Sequence, residues 1–245
     1  MNTPLWLTEL ANDFWKRAGG ATRFPRDLLR AVPRAALLSV KPLADLSVQR
    51  VSTWLRLQGI VCSMAASERA LHACLFARYD CGFIFLDASD DEAEQRFSLA
   101  HELAHFLRHY QEPRQRAAAK FGRQILEVLD GKRPPTYTER LHALLRHVRV
   151  HEHVHLLTRD DRHRIPSPAL AAAEFEADRL GCQLLAPAEM VWRLIPPEAG
   201  RAARGEAERQ LQLFFGLPSR NAAWYANQLY PSRDDPLLQR LRISS

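Results

Sequence analysis

Cysteine is scarce: Cys62, Cys74, Cys81 and Cys182 are the only four among 245 residues, and no two stand in CxxC spacing. That excludes a disulfide-stapled scaffold and a thiolate metal cluster. The four read as small core hydrophobes, and a reducing cytoplasm is the expected compartment. Long apolar runs are missing as well, since none approaches the roughly 18 residues that cross a bilayer. Residues 1–20 contain Glu9 and Asp13 and lack a basic start followed by an apolar core, so they do not read as a secretory signal. Lysine occurs only at positions 16, 41, 120 and 132, so arginine supplies most of the 34 basic residues. Against 28 acidic residues the formal net charge is +6. Such a balance permits an acidic partner or nucleic acid without requiring one; a solvated surface is the plainer account.

What is present is ordinary for a globular chain, with 47% hydrophobic and 25% charged residues, and the length suits one sizeable domain or a domain with an appendage. The first 60 residues read as short helices broken by Gly19-Gly20, Pro25, Pro33 and Pro42, the last of them over 48–58 behind a Ser47 N-cap. Runs at 69–77 and 83–87 flank a turn-rich 78–82 and predict a hairpin. Asp91 and Glu94 are spaced as a capping pair for a helix over 92–110 that stops before Pro113. A second helix is expected over 115–130, ending at Gly131, and a third stretch from Thr138. Ser167-Pro168 opens a helix over 169–186, with a short helix at 188–195 after it. The tail reads as helix, Gly216 turn, Ser219 cap and helix to about Leu229. No internal repeat or low-complexity segment interrupts this order.

The most informative stretch is Phe97-Ser98-Leu99-Ala100-His101-Glu102-Leu103-Ala104-His105-Phe106-Leu107, an HExxH inside an apolar helical run. Residues four apart lie on one helical face, so His101 and His105 can both offer a ring nitrogen to one ion. Glu102 lies one residue further round, placed to reach water rather than the metal. This is the pattern of a zinc peptidase. A catalytic zinc takes three protein ligands and leaves one position open, so one ligand is still to be found.

Glu174 is the expected third ligand. It shares a helical face with Asp178 and Gly181, at i+4 and i+7, which suits a ligand, a carboxylate that orients a histidine ring, and a close helix approach. Glu176, about 200° round the helix, is the alternative; the two cannot face one ion. A rival motif complicates the assignment, because His151-Glu152-His153-Val154-His155 is also HExxH, with 18 residues between His155 and Glu174. Its flanks look half strand, and a strand cannot bring i and i+4 side chains round one ion. His151, His153 and His155 therefore read as a polar segment; one of them lining the cleft to stabilise an oxyanion is the sharper alternative. Tyr110 and His153 are the named candidates for that donor.

Three segments carry a resemblance to the ImmA/IrrE-type metallopeptidases: RFSLAHELAH at 96–105, EFEADRLGCQLLAP at 174–187, and LFFGLP at 213–218 with the helix after it. The likeness covers about 45–230. It implies an α+β, mostly helical minimal gluzincin fold with a small antiparallel sheet beside the HExxH helix and a helical C-terminal tail. It further implies zinc held by His101, His105 and the motif glutamate, and a helix-turn-helix repressor as protein substrate, cleaved to switch on a stress or mobile-element response. The chain departs from the family in the long 111–165 insertion between the motifs, in Ala186 where methionine is usual, and in Leu180-Gly181 for the common Phe-Ala.

The expected organisation is a zinc metallopeptidase domain over 1–195 and a helix-turn-helix-like tail over 196–245. The first part comprises N-terminal helices 1–60 and a catalytic core 61–195. The expected mechanism has Glu102 as general base, zinc as cofactor and Asp178 orienting a ligand histidine. A non-catalytic regulator binding DNA or a repressor is the competing reading, resting on the basic balance and the Gly216-Leu217-Pro218-Ser219 turn. A structural zinc protein is a third, though structure alone has no use for Glu102.

Overall fold

The computed structural model describes residues 3–20, 23–62, 64, 68–137, 139, 152–158, 167–196 and 200–231. In chain order, α1 (Leu5–Arg17) and α2 (Leu28–Ala35) lead into β1 (Leu38–Leu43), α3 (Val48–Leu57) and the hairpin β2 (Leu71–Arg78) and β3 (Cys81–Asp87). The motif helix α4 (Glu92–His105) follows, continuing through a π-helical turn (Phe106–Gln111) into α5 (Glu112–Phe121), and then α6 (Ile125–Leu129). After β4 (His153–Thr158) come α7 (Pro168–Leu185), α8 (Ala188–Leu194), α9 (Gly200–Leu213) and α10 (Ser219–Leu229). This is the expected α+β architecture.

The sheet is mixed rather than antiparallel. Its order is β1-β3-β2-β4, with β1 parallel to β3 and the other two pairings antiparallel. The difference arises from β1, expected to be helical because Pro42 reads as a helix breaker. An edge strand tolerates proline, since one side of it has no ladder bond to lose. Pro33, likewise expected to end a helix, lies inside α2.

Residues of β2 alternate between two buried faces. Ala73, Leu75 and Ala77 join the large cluster with Leu99, Ala100 and Leu103 of α4. Cys74 and Phe76 join Val51 and Leu55 of α3 on the other face. The α4 cluster also runs through Leu180 and Leu184 of α7 to Phe215, Ala222 and Ala226, so the C-terminal helices pack into the same core as the motif helix. Two glycines permit close approaches. A Cβ on Gly181 would already stand 3.4 Å from the Ala100 carbonyl carbon and the His101 nitrogen, so α7 crosses α4 with no room for more than a methyl. Gly216, at φ +72, turns the chain between α9 and α10, and its carbonyl accepts from Arg96 at 2.9 Å.

The helix expected to stop before Pro113 does not. In the π turn the Glu112 N–H reaches back to the Leu107 carbonyl, and Pro113 enters the first turn of α5, where no proline N–H is needed. The expected 115–130 helix is instead broken at Gly122, whose φ is +83. The tail helix begins at Ser219 with Pro218 before it, and no Ser219 side-chain cap forms. The helical stretch expected from Thr138 lies outside the described residues. No described helix is long and apolar enough to cross a membrane.

Candidate metal centre

Asp91 caps α4 by accepting from the Glu94 N–H at 2.8 Å, and Ser167 caps α7 by accepting from Leu170 at 3.2 Å. One carbonyl in the last turn of α7, Leu184 O, accepts from both Trp15 Nε1 (3.0 Å) and Arg26 Nη1 (2.6 Å). Two anchored helices therefore cross at Gly181 and hold their polar residues toward each other.

Residues 97–105 of α4 are all buried, and His101, Glu102 and His105 are at most 2% exposed. The Nε2 atoms of His101 and His105 lie 3.1 Å apart. Glu174 Oε2 from α7 stands 3.4 Å from the first and 3.6 Å from the second. His155 of β4 completes a set of four groups whose donor atoms lie within 4.8 Å of one another and can hold a metal ion. Imidazole and carboxylate donors suit a divalent transition metal, and two ring nitrogens facing each other at 3.1 Å are the arrangement an ion between them would bridge.

Each α4 histidine is oriented from behind. Asp178 Oδ1 lies 2.9 Å from His101 Nδ1, placed to accept its N–H and so turn Nε2 toward the centre of the cluster. His105 Nδ1 meets His109 Nδ1 at 3.1 Å, and His109 Nε2 lies 3.4 Å from Glu176 Oε2. Arg108 Nε donates to the same Glu176 oxygen at 2.8 Å. Glu176 thus points to Arg108 and His109, away from the donor triangle. Sequence reasoning missed His109, though its position four residues after His105, on the same helical face, is the signal that could have found it.

Burial opposes charge throughout the cluster. Against it, hydrogen bonds to Asp178 and Glu174 lift His101 to about 10. Burial, then the charge of His155, pushes His105 well below its ordinary value. Burial would raise Glu174, but hydrogen bonds from His101, His105 and His155 hold it far below the usual carboxylate range. The pocket is built to gather positive charge.

The second HExxH separates along its strand. His151 lies outside the described residues, while His153, His155 and Leu157 share the β4 face turned toward α4. His155, paired in register with Leu75, reaches the donor cluster. His153, paired with Ala77, packs instead against Tyr110, with ring centroids 5.8 Å apart. Tyr110 accepts the Asp80 N–H at 3.2 Å and lies over Arg114. Neither Tyr110 nor His153 is brought to the metal cluster; the register places them one step further along, behind the π turn.

The HExxH helix, crossed by a glutamate-bearing helix beside a small sheet, thus gathers His101, His105, His155 and Glu174 into a group that could hold a metal ion. Residues 63–127 match the family model Peptidase_M78, the IrrE N-terminal-like domain. This likeness, confined to that stretch, supports a peptidase of the ImmA/IrrE type. The matched stretch holds the hairpin and α4 and stops short of Glu174. No curated protein and no solved structure matches the chain.

Proposed function

We propose that this chain is a zinc-dependent endopeptidase in which His101, His105 and Glu174 hold the metal and Glu102 is the general base. The supporting observation is the donor triangle with edges of 3.1, 3.4 and 3.6 Å. Four ligands at zinc's bond length of about 2.0–2.1 Å in a tetrahedron stand about 3.3 Å apart, so the triangle fits that ion with one vertex open. When bound, zinc makes a water acidic enough to lose its proton near neutral pH and polarises the scissile carbonyl. Glu102 accepts the proton of the attacking water and returns it to the leaving amine. Asp178 keeps His101 in the tautomer that offers Nε2, and the His109–Glu176 pair does the same for His105.

For the substrate, the ImmA/IrrE resemblance favours a helix-turn-helix repressor whose cleavage switches on a stress or mobile-element response in the cytoplasm. In the competing reading, α9 and α10 serve DNA binding. Against it, Ala222, Ala226 and Leu229 are buried, and Tyr225 donates to Gln183 of α7 at 3.2 Å, so this helix pair is used in packing. Metal analysis of wild type beside His101→Ala and His151→Ala tests the site: one zinc per chain, lost in the first and kept in the second, is expected. Zinc lost only with His151→Ala would overturn the assignment. Incubation with helix-turn-helix repressors from the same genome, read by mass spectrometry, tests the substrate; specific DNA binding that weakens steeply with salt, without cleavage, would favour the regulator.

A further inference from the structure

Between the two motif helices the chain runs out to the sheet and returns with an imidazole. His155 Nδ1 lies 3.0 and 2.9 Å from the two oxygens of Glu102. On the other side of the ring, Nε2 lies 3.0 Å from Glu174 Oε1, the oxygen not turned to His101 and His105. The ring stacks on His105 with centroids 3.7 Å apart and planes inclined by 22°. One side chain from β4 therefore touches the proposed base on α4, the third donor on α7 and one ligand ring.

We propose that His155 is a positioning residue of the peptidase site, locking Glu102 and Glu174 into one bridged unit; the inference rests on the metallopeptidase reading above. The last torsion of a glutamate is broad, so a lone Glu102 carboxylate would sample many planes. A nitrogen equidistant from both its oxygens selects one. At Glu174 the same ring takes up Oε1 and leaves Oε2 to the donor triangle, so the carboxylate presents a single oxygen to a metal. Acting as a fourth ligand would cost His155 a carboxylate contact and would close the position that water needs. The bridge uses both nitrogens as they stand. It also gives the long inter-motif segment a task, since that segment supplies β4.

The test compares wild type, His155→Ala and His155→Gln, loaded with zinc or with cobalt(II). Readouts are metal stoichiometry, the rate of metal loss to a chelator, the visible cobalt spectrum, and kcat and KM on dye-quenched casein. His155→Ala should keep one metal per chain but hold it about 10–100-fold more weakly, as loss of an outer partner does elsewhere. Its cobalt spectrum should shift as Glu174 gains a free oxygen. Where casein is cut, kcat should fall by a similar factor with KM nearly unchanged, and added imidazole should restore part of the rate. His155→Gln, which keeps an N–H donor, should fall between the two and serves in place of alanine if that variant does not fold. Unchanged metal release and an unchanged spectrum would overturn the proposal. So would complete loss of metal, which would make His155 a ligand, or a higher kcat, which would make it an obstruction. Wild-type protein that takes up no metal would instead defeat the metallopeptidase reading itself, and the proposal with it.

Discussion

Two buried charge clusters lie along one continuous helical rod, and they close in opposite ways. On α4, His101 and His105 point ring nitrogens at each other, with Glu174 opposite and Asp178 and His109 behind. On α5, Arg114 is 2% exposed and donates to Asp80 at 2.6 Å and to Asp130 at 2.7 Å. The second cluster brings its own cation: a guanidinium fork set between two carboxylates needs no ion from outside. The first turns imidazole and carboxylate groups toward a common point, and among the described residues no arginine or lysine stands at that point. The difference separates a structural knot from a candidate binding site, although both centre on buried basic side chains and are rich in carboxylates. The knot ties the hairpin tip at Asp80 to α5 and to the end of α6, and it supports the positive φ of Tyr79 (56°) and Asp80 (61°) in the two-residue turn.

The contrast is sharpest for Glu102→Gln, which should lower kcat by about 100- to 10,000-fold, as expected for loss of a general base, while zinc content stays at one per chain. Activity at the wild-type rate in a folded, zinc-loaded variant would remove Glu102 from its role. Arg114→Ala should do the reverse. Leaving Asp80 and Asp130 without their cation should cost about 3 kcal/mol, the low end for a broken buried pair because the Asp80 side chain is 40% exposed. Denaturant unfolding measures this, and metal content at low denaturant should match wild type. Loss of metal in that variant would show that the two clusters are not separable.

Smaller effects test the outer partners. Asp178→Asn should weaken zinc about 10–100-fold without abolishing binding, measured by competition with a chromogenic chelator. Zinc uptake should release protons, because Asp178 and Glu174 lift metal-free His101 to about 10 against its burial, and the ion displaces that proton. Apparent affinity therefore falls as pH drops, and a pH indicator in weak buffer reads the release; none at pH 7 would refute the protonated resting state. Tyr110, lifted by burial to about 12, gives the smallest change. Its folded value exceeds the unfolded 10, so the stability it contributes is complete below about pH 10 and is lost as pH rises toward 12. Tyr110→Phe should flatten that loss in alkaline unfolding curves.

Local rules carried much of the fold. The Asp91 and Ser167 caps, the hairpin and the Gly131 stop are short-range signals, and the helices follow from them and from apolar spacing. Edge context and the π turn were not legible, because whether Pro42 or Pro113 breaks an element depends on which ladder bond the neighbouring backbone needs. At the site, the i, i+4 pair of His101 and His105 and the i, i+4 pair of Glu174 and Asp178 are both readable as helical faces. His155 was not singled out from His151 and His153, since only strand register decides which of three histidines stands opposite the motif helix.

What the chain's sequence determined by itself is the donor chemistry: two histidines and a glutamate on one apolar helix, and a second helix with carboxylates on one face. These follow from helical periodicity, which is local. The tertiary structure alone decided which histidine of the second HExxH joins the donor cluster and which becomes packing for Tyr110, and it set the distance at which Glu174 meets His101 and His105. Those outcomes depend on where α7 crosses α4 at Gly181 and on how β4 registers against β2. Both are contacts between segments far apart in the chain, which no local pattern encodes.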